Sequence, residues 1–287
     1  MRRLLDLLPL RGPNRYGGYN LLEEVARGGM SRIWKARHPR TGDICALKVL
    51  TPESAETQER FRRLFDDEEG AIALRLDHAN VIRTYAYGSG RKGEYYIAMQ
   101  YVDGPNLEAM INVRSPIVRE RRFDLLMQMA AGLNYIHEQG LVHRDFCPKN
   151  VLLGRDGLIK IIDFGLTIPA VTGGRGIVTR AGTASYMAPE QIRNQQVDAR
   201  TDIYAFGVSA FEVLTFQSPF PRRADRTRRM LTHLNVRPVA LCSLDPELPD
   251  ALGRAVEKCV EKDRNLRYKS MAEVMEELKA AIAVVGR

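Results

Sequence analysis

Two short segments hold the residues whose types and spacing could do chemistry. The first, His143-Arg-Asp-Phe-Cys-Pro-Lys-Asn150, places Asp145 and Asn150 five residues apart. The second, Asp163-Phe-Gly165, adds a carboxylate thirteen residues after Asn150. One carboxylate can take a hydroxyl proton, and an Asn–Asp pair offers hard oxygen ligands of the kind Mg2+ prefers. Upstream, Ala26-Arg-Gly-Gly-Met-Ser-Arg-Ile33 carries a glycine pair whose backbone N–H groups could approach phosphates. Lys48 follows fifteen residues beyond Ile33, and Glu69 can supply its carboxylate partner. Each feature alone has a plainer reading. A glycine pair is usually a turn, Lys48 a snorkelling surface lysine, and either acidic segment a polar loop. Their combination and order along one chain point to chemistry.

The elements that must position these residues are legible in outline. Residues 16–50 read as short strands and tight turns, among them Ile44–Leu50 with Lys48. Phe61, Leu64, Phe65, Ile72 and Leu76 recur near a period of 3.6 and predict a helix over 56–76 that carries Glu69. Two strand-like runs flank Gly88–Gly93, the second being Tyr95–Val102. At Asp103-Gly104-Pro105 a turn signal marks a hinge, and the pattern beyond it is mostly helical. Phe123, Leu126, Met127, Ala130, Leu133 and Ile136 mark one amphipathic helix. The stretch 201–216 is apolar on all faces and predicts a helix buried on every side. Ser270-Met-Ala-Glu273 reads as a capping box opening a last helix that runs to about 283.

Composition bounds the rest. With 287 residues, 45% hydrophobic and 27% charged, the chain can bury a sizeable core. No run of eighteen apolar residues encodes a membrane span. The formal charge of +8 favours acidic partners, although solubility is the plainer reading. Nucleic acid is not an expected partner. The cysteines at 45, 147, 242 and 259 form no C-x-x-C pair, which gives no support to zinc or thioredoxin-type chemistry and suits a reducing cytoplasm. Asp6 interrupts the apolar stretch of Met1–Leu10 and no small-residue cleavage site follows, so this stretch reads as an extension rather than a signal peptide.

Taken together, the motifs resemble the eukaryotic-like (Hanks-type) protein kinase family over residues 19 to 280. Ala26–Ile33 looks like the glycine-rich loop, and its Gly-Gly-Met tip is most similar to bacterial serine/threonine kinases. Ala46-Leu-Lys48 looks like the lysine strand, and Glu69, nine residues before His78, like the helix glutamate. Met99 falls at the gatekeeper position and Gln100–Val102 at the hinge. Gly182–Glu190 resembles the end of the activation segment, Asp202 the buried aspartate of the central helix, and Arg267 the late arginine that pairs with Glu190. The resemblance implies an α+β bilobal fold. A small antiparallel sheet lobe with one major helix would span 16–102, and a larger, mostly helical lobe 103–287, after an extension over 1–15.

The resemblance also implies roles. Ala26, Arg27, Gly28, Gly29, Met30 and Ser31 cover ATP; Ile33, Ala46 and Leu152 sandwich the adenine; Met99, Gln100 and Val102 line the same nucleotide. Lys48, held by Glu69, meets the α and β phosphates. Asn150 and Asp163 hold Mg2+, with Mn2+ as an alternative, and Asp145 orients the acceptor hydroxyl. Two departures stand out. Ala26 and Ser31 replace loop glycines, and Cys147 stands where serine/threonine kinases carry a lysine. Lys149 is expected to supply the missing cation. Thr183 favours serine/threonine specificity as the substrate-positioning residue. Thr179, with Thr172 as runner-up, is the expected activating phosphorylation site, modified in trans within a homodimer. The arginines at 222, 223, 226, 228 and 229, where the family's substrate-docking helix begins, offer a site for acidic segments of protein substrates, with a solvated helix face as the plainer reading. The alternative to an active enzyme is a pseudokinase, a binding or scaffold module without turnover.

Overall fold

The computed structural model describes residues 15–28, 31–50, 74–89, 95–164, 167–169, 182–221 and 223–284. It divides into two compact units. One comprises residues up to Asp77 together with Ile82–Val102; the other comprises His78–Val81 and everything from Asp103. The helix expected over 56–76 falls outside the described residues as far as residue 73, and Glu69 with it.

The first unit is a six-stranded antiparallel sheet. Its strands are β1 (Arg15–Tyr16), β2 (Tyr19–Arg27), β3 (Ser31–Arg37), β4 (Ile44–Leu50), β5 (Thr84–Ser89) and β6 (Tyr95–Gln100), in the order β1-β2-β3-β4-β6-β5. Successive side chains in a strand alternate between faces, and residues opposite one another in an antiparallel pair share a face. Cys45, Leu47 and Val49 of β4 therefore point one way, into a core with Tyr19, Ala36 and Ala98. Ala46 and Lys48 point the other way. β6 stops at Gln100, two residues short of the expected run, with the Gln100 N–H donating to the Arg83 carbonyl just before β5.

The second unit is built on helices. These are α1 (Leu107–Asn112), α2 (Pro116–Glu138), α3 (Pro189–Ile192), α4 (Ala199–Thr215), α5 (Arg226–Asn235), α6 (Leu241–Leu244), α7 (Asp250–Cys259) and α8 (Met271–Ile282). Short strands β7 (Leu141–Val142), β8 (Val151–Leu153), β9 (Ile159–Ile161) and β10 (Ile168–Pro169) lie among them, with β8 pairing β9 and β10 pairing β7. The periodic residues 123–136 fall on α2. As the all-round apolar pattern predicts, α4 is buried from Thr201 to Thr215 and packs against α2 and α7. Gly207 permits the close approach to α7: a Cβ there would lie 2.7 Å from Cys259 Cβ and Val260 Cγ1. The capping box at α8 forms by half. The Ser270 hydroxyl accepts from the Glu273 N–H, but the Glu273 carboxylate accepts from the Lys269 N–H rather than closing the box. A bidentate pair ties the late loop to α3, with Arg267 Nη1 and Nη2 donating to Glu190 at 2.7 and 2.9 Å. Both side chains are almost fully buried, and removing one partner from such a pair costs about 3–5 kcal/mol because the other charge is stranded.

A second polar cluster sits under α5. Tyr204 Oη and His233 Nδ1 are 2.9 Å apart, and the Lys262 ammonium donates to the same hydroxyl at 3.2 Å. Burial, reinforced by the Lys262 cation, pushes the His233 imidazole down to about 3, although a hydrogen bond to the Ser185 backbone pulls the other way. The folded protein thus holds His233 neutral, whereas the unfolded chain protonates it near pH 6.5. Between these values the unfolded state binds more protons, so stability falls as pH drops below about 6.5, by up to ~1.4 kcal/mol per pH unit. Urea unfolding at pH 6.5 and pH 5, above the carboxylate range, should show this loss. His233→Gln, which retains an acceptor for the Tyr204 hydroxyl, should flatten it. Equal pH slopes in the two proteins would refute the assignment.

Candidate active site

The second unit gathers Asp145, Asn150, Asp163 and Thr183 through a chain of hydrogen bonds that begins at Asp202. This residue is fully buried in the first turn of α4. Its Oδ2 accepts from the His143 N–H at 2.7 Å and lies 2.9 Å from His137 Nε2; its Oδ1 accepts from the Arg144 N–H at 2.8 Å. Burial alone would raise the Asp202 pKa, but the bond from His137 and the other donors outweigh it and hold the carboxyl below its usual range. The loop so clamped has Arg144 in the left-handed region at φ 68°, a conformation that costs a non-glycine residue and persists only where its surroundings impose it. The Gln191 carboxamide donates to the Arg144 carbonyl and braces the same peptide. Gly182, at φ +126°, passes close by; a Cβ there would meet that carbonyl at 3.2 Å.

Asp145 is held at both oxygens. Oδ1 accepts from the Thr183 N–H at 2.6 Å, and Oδ2 from the Asn150 carboxamide at 3.2 Å. The same Asn150 Nδ2 donates to the Asp145 carbonyl at 2.9 Å. With its nitrogen so engaged, the Asn150 carboxamide is fixed in place beside Asp145. The Ile162 N–H donates to the Asn150 carbonyl, and His143 Nε2 lies 3.1 Å from the Ile162 carbonyl. Asp163 follows directly, at φ 67°. The segments carrying Asn150 and Asp163 are thus tied together one residue before the carboxylate. An amide oxygen and a carboxylate so linked fit a hard divalent cation that takes most of its other ligands from water and phosphate.

Cys147 is fully buried beside this cluster, its Sγ 3.9 Å from the Thr183 hydroxyl. Burial, and next the Asp145 charge, push its thiol up to about 12, so it contributes no charge at neutral pH. Lys149 is exposed on the single helical turn Pro148–Asn150. Leu152 lies half-buried on β8, and Thr183 is half-buried.

In the first unit, ladder registry puts several of the predicted nucleotide residues on one face. Ile33 faces Lys48 across β3–β4, Ala46 faces Met99 across β4–β6, and Ala26 faces Ile33 across β2–β3. All lie opposite the Cys45–Leu47–Val49 core face. The loop from β2 to β3 is closed by the Gly28 N–H donating to the Ser31 carbonyl at 2.8 Å. Ala26 and Arg27 are exposed, and the Arg27 guanidinium donates to Glu24 at 2.8 Å. Gln100 and Val102 are half-buried. Gly29, Met30, Thr172, Thr179 and Arg222 lie outside the described residues.

His137 and Gln191 do structural work at this site that the sequence reading missed. His137 had a signal: it follows directly on Ile136, at the end of the apolar pattern of α2. Gln191 had none beyond its place in a short helix.

Comparison with known proteins adds a family. The protein kinase domain matches residues 19–278. The chain is 33% identical over 280 residues to a probable serine/threonine-protein kinase of Streptomyces coelicolor, covering 94% of this chain and 41% of that protein. It is 33% identical over 268 residues to a probable serine/threonine-protein kinase of Clostridium acetobutylicum, covering 91% and 39%. To the serine/threonine-protein kinase PknB of Mycobacterium tuberculosis it is 30% identical over 266 residues, covering 91% and 42%. The chain therefore spans about two fifths of the length of these relatives.

Proposed function

The chain belongs to the protein kinase family, and on that premise we propose that it is an ATP-dependent protein serine/threonine kinase. The observation that carries the proposal is the setting of Asp145, whose carboxylate is fixed by the Thr183 N–H and by Asn150. A carboxylate held at both oxygens keeps a lone pair aimed at an incoming hydroxyl, and phosphoryl transfer rests on such positioning more than on covalent chemistry. Lys48, supported by Glu69, would contact the α and β phosphates. The loop Ala26–Ser31 with Ile33, Ala46, Met99, Gln100, Val102 and Leu152 would hold the rest of ATP. Asn150 and Asp163 would hold Mg2+, which when bound neutralises phosphate charge. Thr183 would position a Ser or Thr hydroxyl, and acidic segments would mark the protein substrates. We place the enzyme in the cytoplasm, on the strength of its free thiols, and residues 16–287 as its kinase domain.

One observation favours a pseudokinase instead. The buried thiol of Cys147 stands where the family carries a cation. We assign that role to Lys149, two positions on and exposed, whose stem is long and flexible.

Three outcomes test these assignments. First, the protein with Mg·ATP and a generic protein substrate should transfer phosphate. Asp145→Ala should lower kcat by ~10²–10⁴-fold with ATP affinity nearly intact, since the carboxylate acts on the acceptor. Wild type without turnover would leave the pseudokinase reading. Second, Lys149→Ala should cost about 10–100-fold in kcat, and adding Cys147→Lys should restore it. Full activity in Lys149→Ala would remove the assignment. Third, Thr179 should become phosphorylated in trans on incubation with Mg·ATP. A phosphothreonine carries about −1.5 to −2 charge, and Arg144, with Lys160 as a second cation, would pair with it. Mass spectrometry that finds Thr179 unmodified in active enzyme would shift the site to Thr172 or abolish it.

A further inference from the structure

The five arginines at 222–229 are not equivalent. Arg222 is outside the described residues, and Arg226 and Arg228 are exposed on α5. Arg223 and Arg229 line a groove of about 280 Å3 together with Thr183 and Ser185. That volume suits one or two side chains rather than a cofactor. Thr183 joins the groove to the catalytic carboxylate, because its N–H is bound to Asp145.

Arg229 is half-buried, whereas Arg226 and Arg228 on the same helix are exposed. Its Nη1 reaches the Ser185 hydroxyl at 3.5 Å and its Nη2 the Ala224 carbonyl at 3.3 Å. These are long, neutral contacts, and its Nε is buried with no hydrogen-bond partner. Among the described residues neither Arg223 nor Arg229 forms an ion pair, whereas Arg122, Arg200 and Arg267 in the same unit all do. A half-buried guanidinium without a carboxylate is an incomplete arrangement, because its planar donors match a carboxylate in geometry and charge. Two carboxylates also line the groove. Glu212 accepts from the Tyr186 hydroxyl at 2.6 Å, and Glu108 sits in the first turn of α1, where the helix dipole favours it. Neither forms an ion pair with Arg223 or Arg229.

We infer that this groove reads an acidic side chain, Asp or Glu, close in sequence to the acceptor hydroxyl, with Arg229 and Arg223 as the specificity residues. The inference rests on the kinase reading and narrows it: acidic substrates are chosen at a defined subsite rather than by overall basic charge.

The test uses serine-containing peptides with Glu at each position from four before to four after the acceptor, each paired with its Gln counterpart. Dissociation constants come from fluorescence anisotropy, which needs no turnover, and kcat/KM from Mg·ATP assays. At one or two positions Glu should bind about tenfold tighter than Gln at low salt. The preference should shrink at high salt and vanish in Arg223→Gln/Arg229→Gln. It should persist in Arg226→Gln/Arg228→Gln, which removes the same charge from exposed positions of α5. If the first double variant does not fold, Arg223→Gln on its exposed loop should still reduce the preference. Equal affinities for Glu and Gln at every position, or the same loss in both double variants, would overturn the inference. A preference in binding without phosphate transfer would sink the kinase reading and leave the groove. Transfer indifferent to Glu would do the reverse.

Discussion

The three N–H donors that converge on Asp202 are the constraint on which the second unit's chemistry depends. A carboxylate fully buried in the first turn of an apolar helix is tolerated only if its charge is compensated, since burying it bare would cost several kcal/mol. The compensation comes from the His143 and Arg144 amides and from His137. Those bonds hold the loop at Arg144 in a left-handed conformation it would not keep alone. The desolvation cost of one side chain thereby becomes rigidity in another segment, and Asp145 is the next residue along. A site whose geometry must hold to a fraction of an ångström is better placed on such a helix-anchored loop than on one stabilised only by its own contacts.

The fold was largely legible because its signals are local and periodic. The 3.6-residue pattern through Phe123, Met127 and Ala130 appears as α2, and the all-round apolar stretch appears as α4, both for the same reason: side-chain burial follows helix geometry. Where the structure departs from the pattern, the choice lies between adjacent partners. The capping box opens because the Glu273 carboxylate accepts from the Lys269 amide rather than from that of Ser270. The capping-box pattern alone does not distinguish the two amides.

The candidate site divides in the same way. Motif spacing singled out Asp145, Asn150, Asp163 and Thr183, and the structure gathers these four in one unit through hydrogen bonds spanning up to 38 residues. Registry puts Ala26, Ile33, Ala46, Lys48 and Met99 on a single sheet face, which strand alternation makes readable once the strands are known. The supporting residues were not readable. His137 and Gln191 work through partners 65 and 47 positions distant, and a lone polar residue on a helix carries no mark of which backbone group it will meet.

Cys147, a buried thiol where the family pattern places a lysine, leaves the loop to be ordered by neutral groups. Here the ordering needs no cation. Asp145 is fixed by an amide N–H and a carboxamide, both neutral donors, and the buried thiol fills space without charge because burial keeps it protonated. A lysine in that position would need its ammonium paired or led to solvent, since an unpaired buried charge is not stable. The cation at Lys149 lies in solvent, where holding a charge costs little, and it would engage an anion only when one arrives. The loop can therefore hold Asp145 in place without a cation at position 147. In its proposed role Lys149 would add its charge from a flexible side chain, and the strength of that contact would depend on how well water is excluded once a phosphate is bound.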